Sequence, residues 1–212
     1  MVKCNLCNRQ FKTAQALAQH RQASHRAPVP PTRPAPRTQQ PRRVAAPPNR
    51  DGELVIGREE LVLSAAVPAG EGELNKAIPI KPEGEVLSWL LKLAANFDQI
   101  EWQAIRLVWK PAVGTTFNGS LIVGADWNAE ATESTRAKAQ ACVPHFDTPI
   151  WQRGGMVLPK DRLQSRARYV LKAREKVDQS PGVILFAART SKLKEETFIG
   201  DLWMEYRVRL MG

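Results

Sequence analysis

The first fifty of the 212 residues contain no aspartate and no glutamate. Ten bases stand there unopposed: Lys3, Arg9, Lys12, Arg21, Arg26, Arg33, Arg37, Arg42, Arg43 and Arg50. The remaining 162 residues carry twenty-one bases against twenty-one acids, so the formal charge of +10 belongs wholly to the N-terminal quarter. Such asymmetry points to a polyanionic partner. Cysteine is also scarce. Three residues, two of them at Cys4 and Cys7, do not make a disulfide framework, and a reducing compartment is expected. Long apolar runs are missing as well. The opening MVKCNLCNRQ lacks the apolar stretch of a secretory leader. The most apolar segment, residues 86–97, is broken by Lys92 and falls short of the roughly 18 residues of a membrane span. A soluble chain made in the cytoplasm, with no membrane partner, is expected.

Catalytic groups are few. Outside the first twenty-five residues the only histidine is His145, with Cys142 three positions before it in CVPH. A nucleophilic dyad needs both side chains within hydrogen-bond reach and a group to orient the base, and Pro144 between them works against that. No glycine-rich phosphate loop is present; Gly154-Gly155 reads as a bend or bulge. The chain is therefore expected not to be an enzyme, and a hydrolase built on Cys142 and His145 is the weakest reading.

The N-terminus does contain a metal-ligand pattern. Cys4, Cys7, His20 and His25 follow C-x2-C-x12-H-x4-H, the spacing of a two-cysteine, two-histidine zinc finger over residues 1–26. Zinc takes four such ligands in a tetrahedron. Phe11 and Leu17 stand where a finger this small needs apolar support. The segment QALAQH, residues 15–20, resembles the helix of plant-type fingers, which carry QALGGH; Ala18 and Gln19 replace the two glycines. The base-facing positions implied by that resemblance are Thr13, Ala16 and Gln19. None makes the bidentate arginine–guanine contact, and one finger covers only about three base pairs. A compact cation touching phosphates is the expected role.

Residues 27–50 form an arm with eight prolines and five arginines. Proline removes a backbone donor and blocks helices, so extended, disordered chain is expected. A linker needs no unopposed arginine. Arginine suits phosphate, and binding through about ten phosphates would fall steeply with salt.

From residue 52 the pattern changes to alternation. Leu61, Leu63, Ala65 and Val67 share one face of a period-2 run, as do Leu121, Val123 and Ala125. In residues 200–210, Leu202, Met204, Tyr206, Val208 and Leu210 face one way, and Trp203, Glu205, Arg207 and Arg209 the other. Further strands are expected at 77–80, 102–109, 149–158, 168–172 and 183–188. Two helices interrupt them: 85–97, with Val86, Leu90, Leu91, Ala94 and Phe97 on one face, and 129–142, opening near Thr132 and Glu133. The sum is a mainly β, eight-stranded sandwich over residues 51–212 with two inserted helices. Arg162, Arg166, Arg168, Lys172, Arg174 and Lys176 form either the wet face of a strand or a basic patch.

Four features go further. A Thr-rich turn with Gly119 precedes a strand ending in Asp126-Trp127, Pro181-Gly182 opens the penultimate strand, and the chain closes on GDLWMEYRVRL. With the element order they resemble the shell domain of small icosahedral positive-strand RNA-virus coat proteins of the tombusvirus and sobemovirus type. The resemblance implies a jelly roll behind a disordered basic arm. It also implies self-assembly of about 180 identical subunits on T=3 symmetry, packaging of genomic single-stranded RNA, and location in the virion. Inter-subunit calcium near Asp126, Asn128 and Glu130 is implied too. The finger is a departure from the family pattern, and no projecting domain is expected after Gly212. The rival reading is a cellular zinc-finger nucleic-acid-binding regulator with a β-rich interaction domain.

Overall fold

The computed structural model describes residues 1–24 and 52–212. The chain divides into two compact units, within residues 1–45 and 46–212. The first holds β1 (Val2–Lys3) paired antiparallel with β2 (Gln10–Phe11), followed by α1 (Ala14–Ser24). Among the described residues no helix is long and apolar enough to cross a membrane.

The second unit runs β3 (Glu53–Val67), β4 (Glu73–Pro79), α2 (Ser88–Ala94), β5 (Gln99–Pro111), β6 (Gly119–Asp126), α3 (Arg136–Ala141), β7 (His145–Pro149), β8 (Gly154–Val157), α4 (Lys160–Leu163), β9 (Tyr169–Val170), α5 (Lys176–Gln179), β10 (Val183–Thr190) and β11 (Thr197–Met211). One sheet has the order β3-β11-β5-β8, with the two-residue β9 added to β5; the other has the order β4-β10-β6-β7. Two antiparallel four-stranded sheets in this order are a jelly roll. The last strand lies inside one sheet and the penultimate strand inside the other, so both sheets close only when the C-terminus is in place.

The core follows the alternation. Leu202, Met204, Tyr206, Val208 and Leu210 are all buried, joined by Trp102, Trp109 and Phe186. Burying side chains of this kind is worth about 1.5–3 kcal/mol each. Trp109 Nε1 donates to the Ile150 carbonyl at 2.8 Å, so its polar atom is satisfied. In β6 and β10 both faces are covered: Ile122, Val183, Leu185 and Ala187 meet Ala139 of α3 on the side away from the main core. Gly124 permits that contact, since a Cβ there would lie 2.5 Å from the Ala139 carbonyl. Gly182 is required for a similar reason, because a Cβ would collide with the Asp126 carbonyl.

Several expected elements are corrected. Leu61 does not share the face of Ala65 and Val67: it pairs with Trp203 while Leu63 pairs with Leu202, leaving Val62 as an extra residue. That bulge reverses the parity, so Val62 is buried and Leu61 exposed. The expected helix over 85–97 begins only at Ser88, because Leu87 is left-handed (φ 53°, ψ 48°), and Leu87 rather than Leu91 enters the core. The helix over 129–142 shrinks to α3, capped by Thr135, whose side chain accepts from the Lys138 amide at 3.2 Å. The single strand over 149–158 is two strands, β7 and β8, separated by a turn closed by Gln152 N and Pro149 O at 2.9 Å. Gly154 and Gly155 belong to β8 itself, where Gly155 leaves room for the Leu107 carbonyl. Of 168–172 only β9 is strand.

The start of α2 uses a distant cap. Leu87 offers no side-chain acceptor. The buried carboxylate of Glu60 takes that role, accepting from Trp89 N at 2.9 Å, from Leu90 N at 3.2 Å, and from the Tyr206 hydroxyl. A carboxylate there also meets the positive end of the helix. Burial, with the Glu60 hydrogen bond second, pushes the Tyr206 phenol well above its ordinary range. Arg58 lies over the Trp89 ring, 4.2 Å from its centroid. Glu60→Ala leaves three donors unsatisfied and is expected to cost about 2–4 kcal/mol, against about 1 kcal/mol for Tyr206→Phe. Urea unfolding followed by tryptophan fluorescence measures both.

Candidate metal centre and nucleic-acid interface

The turn between β1 and β2 is set by two backbone bonds, Cys4 N to Arg9 O at 2.8 Å and Asn8 N to Cys4 O at 3.0 Å. Asn8 adopts φ 58°, a conformation asparagine tolerates better than most residues. This brings both thiols to one side of the hairpin. On the facing helix, Thr13 caps the first turn by accepting from Ala16 N at 3.2 Å, and one side of α1 supplies buried Leu17 and the ligand His20. Phe11 packs on the His20 ring with centroids 4.7 Å apart.

The ligand atoms of Cys4, Cys7 and His20 all lie within 4.8 Å of one another, with Cys7 Sγ 3.0 Å from His20 Nε2. Two sulfurs and an imidazole nitrogen at this separation fit three corners of a zinc tetrahedron. The Cys4 thiol is held below its ordinary value, chiefly by the Leu6 backbone amide, with burial opposing. The Arg21 side chain lowers it as well, to a smaller extent. His25 lies outside the described residues.

Lys3, Arg9, Lys12 and Arg21 are exposed on the finger. Of the base-facing positions the resemblance implies, Thr13 also serves as the helix cap, its hydroxyl accepting from Ala16 N. Arg26, Arg33, Arg37, Arg42, Arg43 and Arg50 lie outside the described residues.

In the second unit, Asp126 is half-buried while Asn128 and Glu130 are exposed. The three share one turn: Asp126 Oδ1 accepts from Asn128 N at 2.9 Å, and Asn128 Oδ1 from Glu130 N at 3.1 Å. Cys142 and His145 form no dyad. The thiol donates to the Lys138 carbonyl at 3.3 Å, the His145 ring nitrogen Nδ1 bonds the Cys142 carbonyl at 2.7 Å, and burial raises the thiol pKa. Arg162, Arg166, Arg168, Lys172, Arg174 and Lys176 are not the face of one strand, because the segment is loop, one-turn helix and the two-residue β9. All six are exposed. Arg166 pairs with Asp178, and Lys172 lies 3.8 Å from Asp98.

A family model described as viral coat protein (S domain) matches residues 23–212, and one for a C2H2-type zinc finger matches residues 3–28. The capsid protein of Cucumber necrosis virus is 26% identical over 140 residues, 64% of this chain and 35% of that protein; the chain thus spans about a third of that relative's length. Among solved structures, that of Tobacco necrosis virus superposes with a TM-score of 0.63 at 15% identity, covering 75% of this chain and 95% of the other. Mud crab tombus-like virus gives 0.64 at 14% identity, with 76% and 89% covered. The crystal structure of Cucumber necrosis virus gives 0.63 at 21% identity, with 76% and 57% covered. At these identities the structural likenesses establish the fold.

All six tryptophans lie beyond residue 88, which separates the two units spectroscopically. Cobalt added to metal-free full-length chain is expected to give one thiolate-to-metal absorption band per chain, lost in Cys7→Ala and His20→Ala and weakened as pH falls and the ligands protonate. The tryptophan-detected melting of the second unit should not move. A band that survives both substitutions would place the metal elsewhere.

Proposed function

Because the chain belongs to the viral coat protein (S domain) family, whose role is structural and not enzymatic, we propose that it builds an icosahedral shell from copies of its jelly roll and packages single-stranded RNA through residues 1–50. The observation that carries this reading is the division of charge: +10 on the first fifty residues, zero on the rest. Identical subunits meet most easily through surfaces of no net charge, whereas an RNA genome demands cations. The labour divides as finger over 1–26, arm over 27–50 and shell over 51–212. Zinc held by Cys4, Cys7, His20 and His25 cross-links a segment too small for a core of its own. The exposed Lys3, Arg9 and Lys12 then add to the arm's five arginines as one sequence-tolerant polycation. T=3 symmetry with about 180 copies is the arrangement the family resemblance favours. The virion is the site of action, and the host cytoplasm the place of synthesis.

Calcium between neighbouring subunits belongs to the same proposal. The free Asp126 and Glu130 carboxylate oxygens are hard ligands but too few for the 6–8 that calcium takes, so a neighbouring copy would complete the shell. The regulator reading is disfavoured by the coat-family match.

Binding of the full-length chain to single-stranded RNA, measured across a salt series, tests the packaging role. Replacing Arg33, Arg37, Arg42 and Arg43 by Gln is expected to flatten the log-affinity against log-salt slope by about 3, since each phosphate contact on a single strand contributes about 0.7. An unchanged slope, or a salt-insensitive preference for one duplex sequence, would contradict the proposal.

A further inference from the structure

We propose that the side of the β4-β10-β6-β7 sheet turned away from the main core carries a pocket for a small amphipathic carboxylate, with its apolar body on a floor of small side chains and its charge met by Lys176. On that face Ala187 stands beside Ile122, Leu185 beside Gly124 and Val183 beside Asp126. Helix α3 closes the first two of these rows: Ala139 packs against Ile122, and its carbonyl lies where a Cβ on Gly124 would be. In the third row Val183 lies between Asp126 and Pro79 of β4. The covering chain there is the turn through Ala129 and Ala131, and it leaves a cavity of about 270 Å³.

The floor is apolar and shallow. Ala77, Pro79, Ala129, Ala131 and Val183 line it. Three of the five are alanine, so no floor side chain reaches across the space. Ala77, Ala131 and Val183 belong to the hydrophobic cluster that α3 covers, and an apolar ligand would continue that packing where the helix stops. At about 30 Å³ per water-sized group the volume admits about nine non-hydrogen atoms. That is a chain of about eight carbons or a single substituted ring, just below the roughly 300 Å³ at which drug-sized pockets begin. The turn over the cavity is held by Asp126 Oδ1, which accepts from Asn128 N at 2.9 Å, and by Asn128 Oδ1, which accepts from Glu130 N at 3.1 Å. The pocket is therefore formed before any ligand arrives.

The polar groups around the floor decide the head of the ligand. Lys81 is spent: its Nζ donates to Gln179 Oε1 at 2.6 Å and pairs with Glu83, also at 2.6 Å. The buried Ser180 hydroxyl is spent too, lying 2.6 Å from the Gly182 carbonyl and accepting from Gly182 N at 3.2 Å. Lys176 lines the same cavity, is exposed, and has no ion-pair partner among the described residues. With Glu83 matched by Lys81, the rim presents one free cation. A monoanion answers it. A polyphosphate or an RNA backbone would bring further negative charges beside Glu83 with nothing to pair them. The four-carbon stem of lysine lets its ammonium follow a carboxylate at the mouth while the apolar body stays on the floor.

The test titrates octanoate into the full-length chain by isothermal calorimetry, with 1-octanol as the uncharged probe of equal length. One octanoate per chain is expected. Lys176→Gln is expected to weaken it roughly tenfold and to leave octanol unchanged, and Lys176→Glu is expected to abolish octanoate binding. Ala131→Leu fills the cavity and is expected to exclude both probes, with tryptophan-detected melting as the check that the variant folds. The two Lys176 variants change an exposed side chain and decide the matter even where Ala131→Leu does not fold. No octanoate binding, or binding that is equal in the unaltered chain and the Lys176 variants, overturns the proposal. Octanoate held by the free chain but expelled from assembled particles would assign the cavity to a contact between copies and also refutes it. None of these outcomes depends on RNA binding, so the packaging reading stands or falls separately.

Discussion

The backbone ladder on both sides of β11 is the interaction on which the rest depends. The strand pairs with β3 along nearly its whole length, from Thr197 opposite Val67 to Met211 opposite Glu53, and with β5 from Gly200 opposite Pro111 to Met211 opposite Gln99. Because the strand is central, its alternate side chains have no choice but to fill the core. Tyr206 also reaches through the core to Glu60, so the strand that closes the sheet helps fix the start of α2. The same ladder fixes the row at which β3 begins, with Glu53 opposite Met211. Core, helix anchor and the start of β3 are thus consequences of one register.

Strand β11 was also the most legible stretch of the sequence, because from Leu202 to Leu210 its alternation is interrupted by no extra residue on its own strand. Elsewhere the period misled where a local event reset it. The bulge at Val62 put Leu61 outside, and nothing in the run of apolar residues marks where parity changes. Helix α2 was visible as an apolar face, but its start was not. Its cap is Glu60, a residue from another element, and the left-handed Leu87 has none of the usual helix-start chemistry. Strand β6 read as one-sided although α3 buries its second face, since the partner that covers Ile122 is set by packing and not by the strand's own period.

The candidate site divides in the same way. Cys4, Cys7 and His20 were readable because a hairpin and the helix that follows it bring them together over a short span, so spacing alone carries the geometry. The arm's charge was readable as composition. The cations of the shell were only half readable: Arg162 and Arg168 stood out as a run, but Arg207 looked like any outward residue of an amphipathic strand.

In the proposed function, a polycation confined to one end of the chain collects a polyanion, and a jelly roll of zero net charge packs against its own copies. Electron microscopy of the purified full-length chain, with and without single-stranded RNA and across salt and calcium concentrations, tests that claim most directly. Closed particles of uniform diameter, formed with RNA at low salt, are the predicted result. Monomers alone under every condition would contradict it.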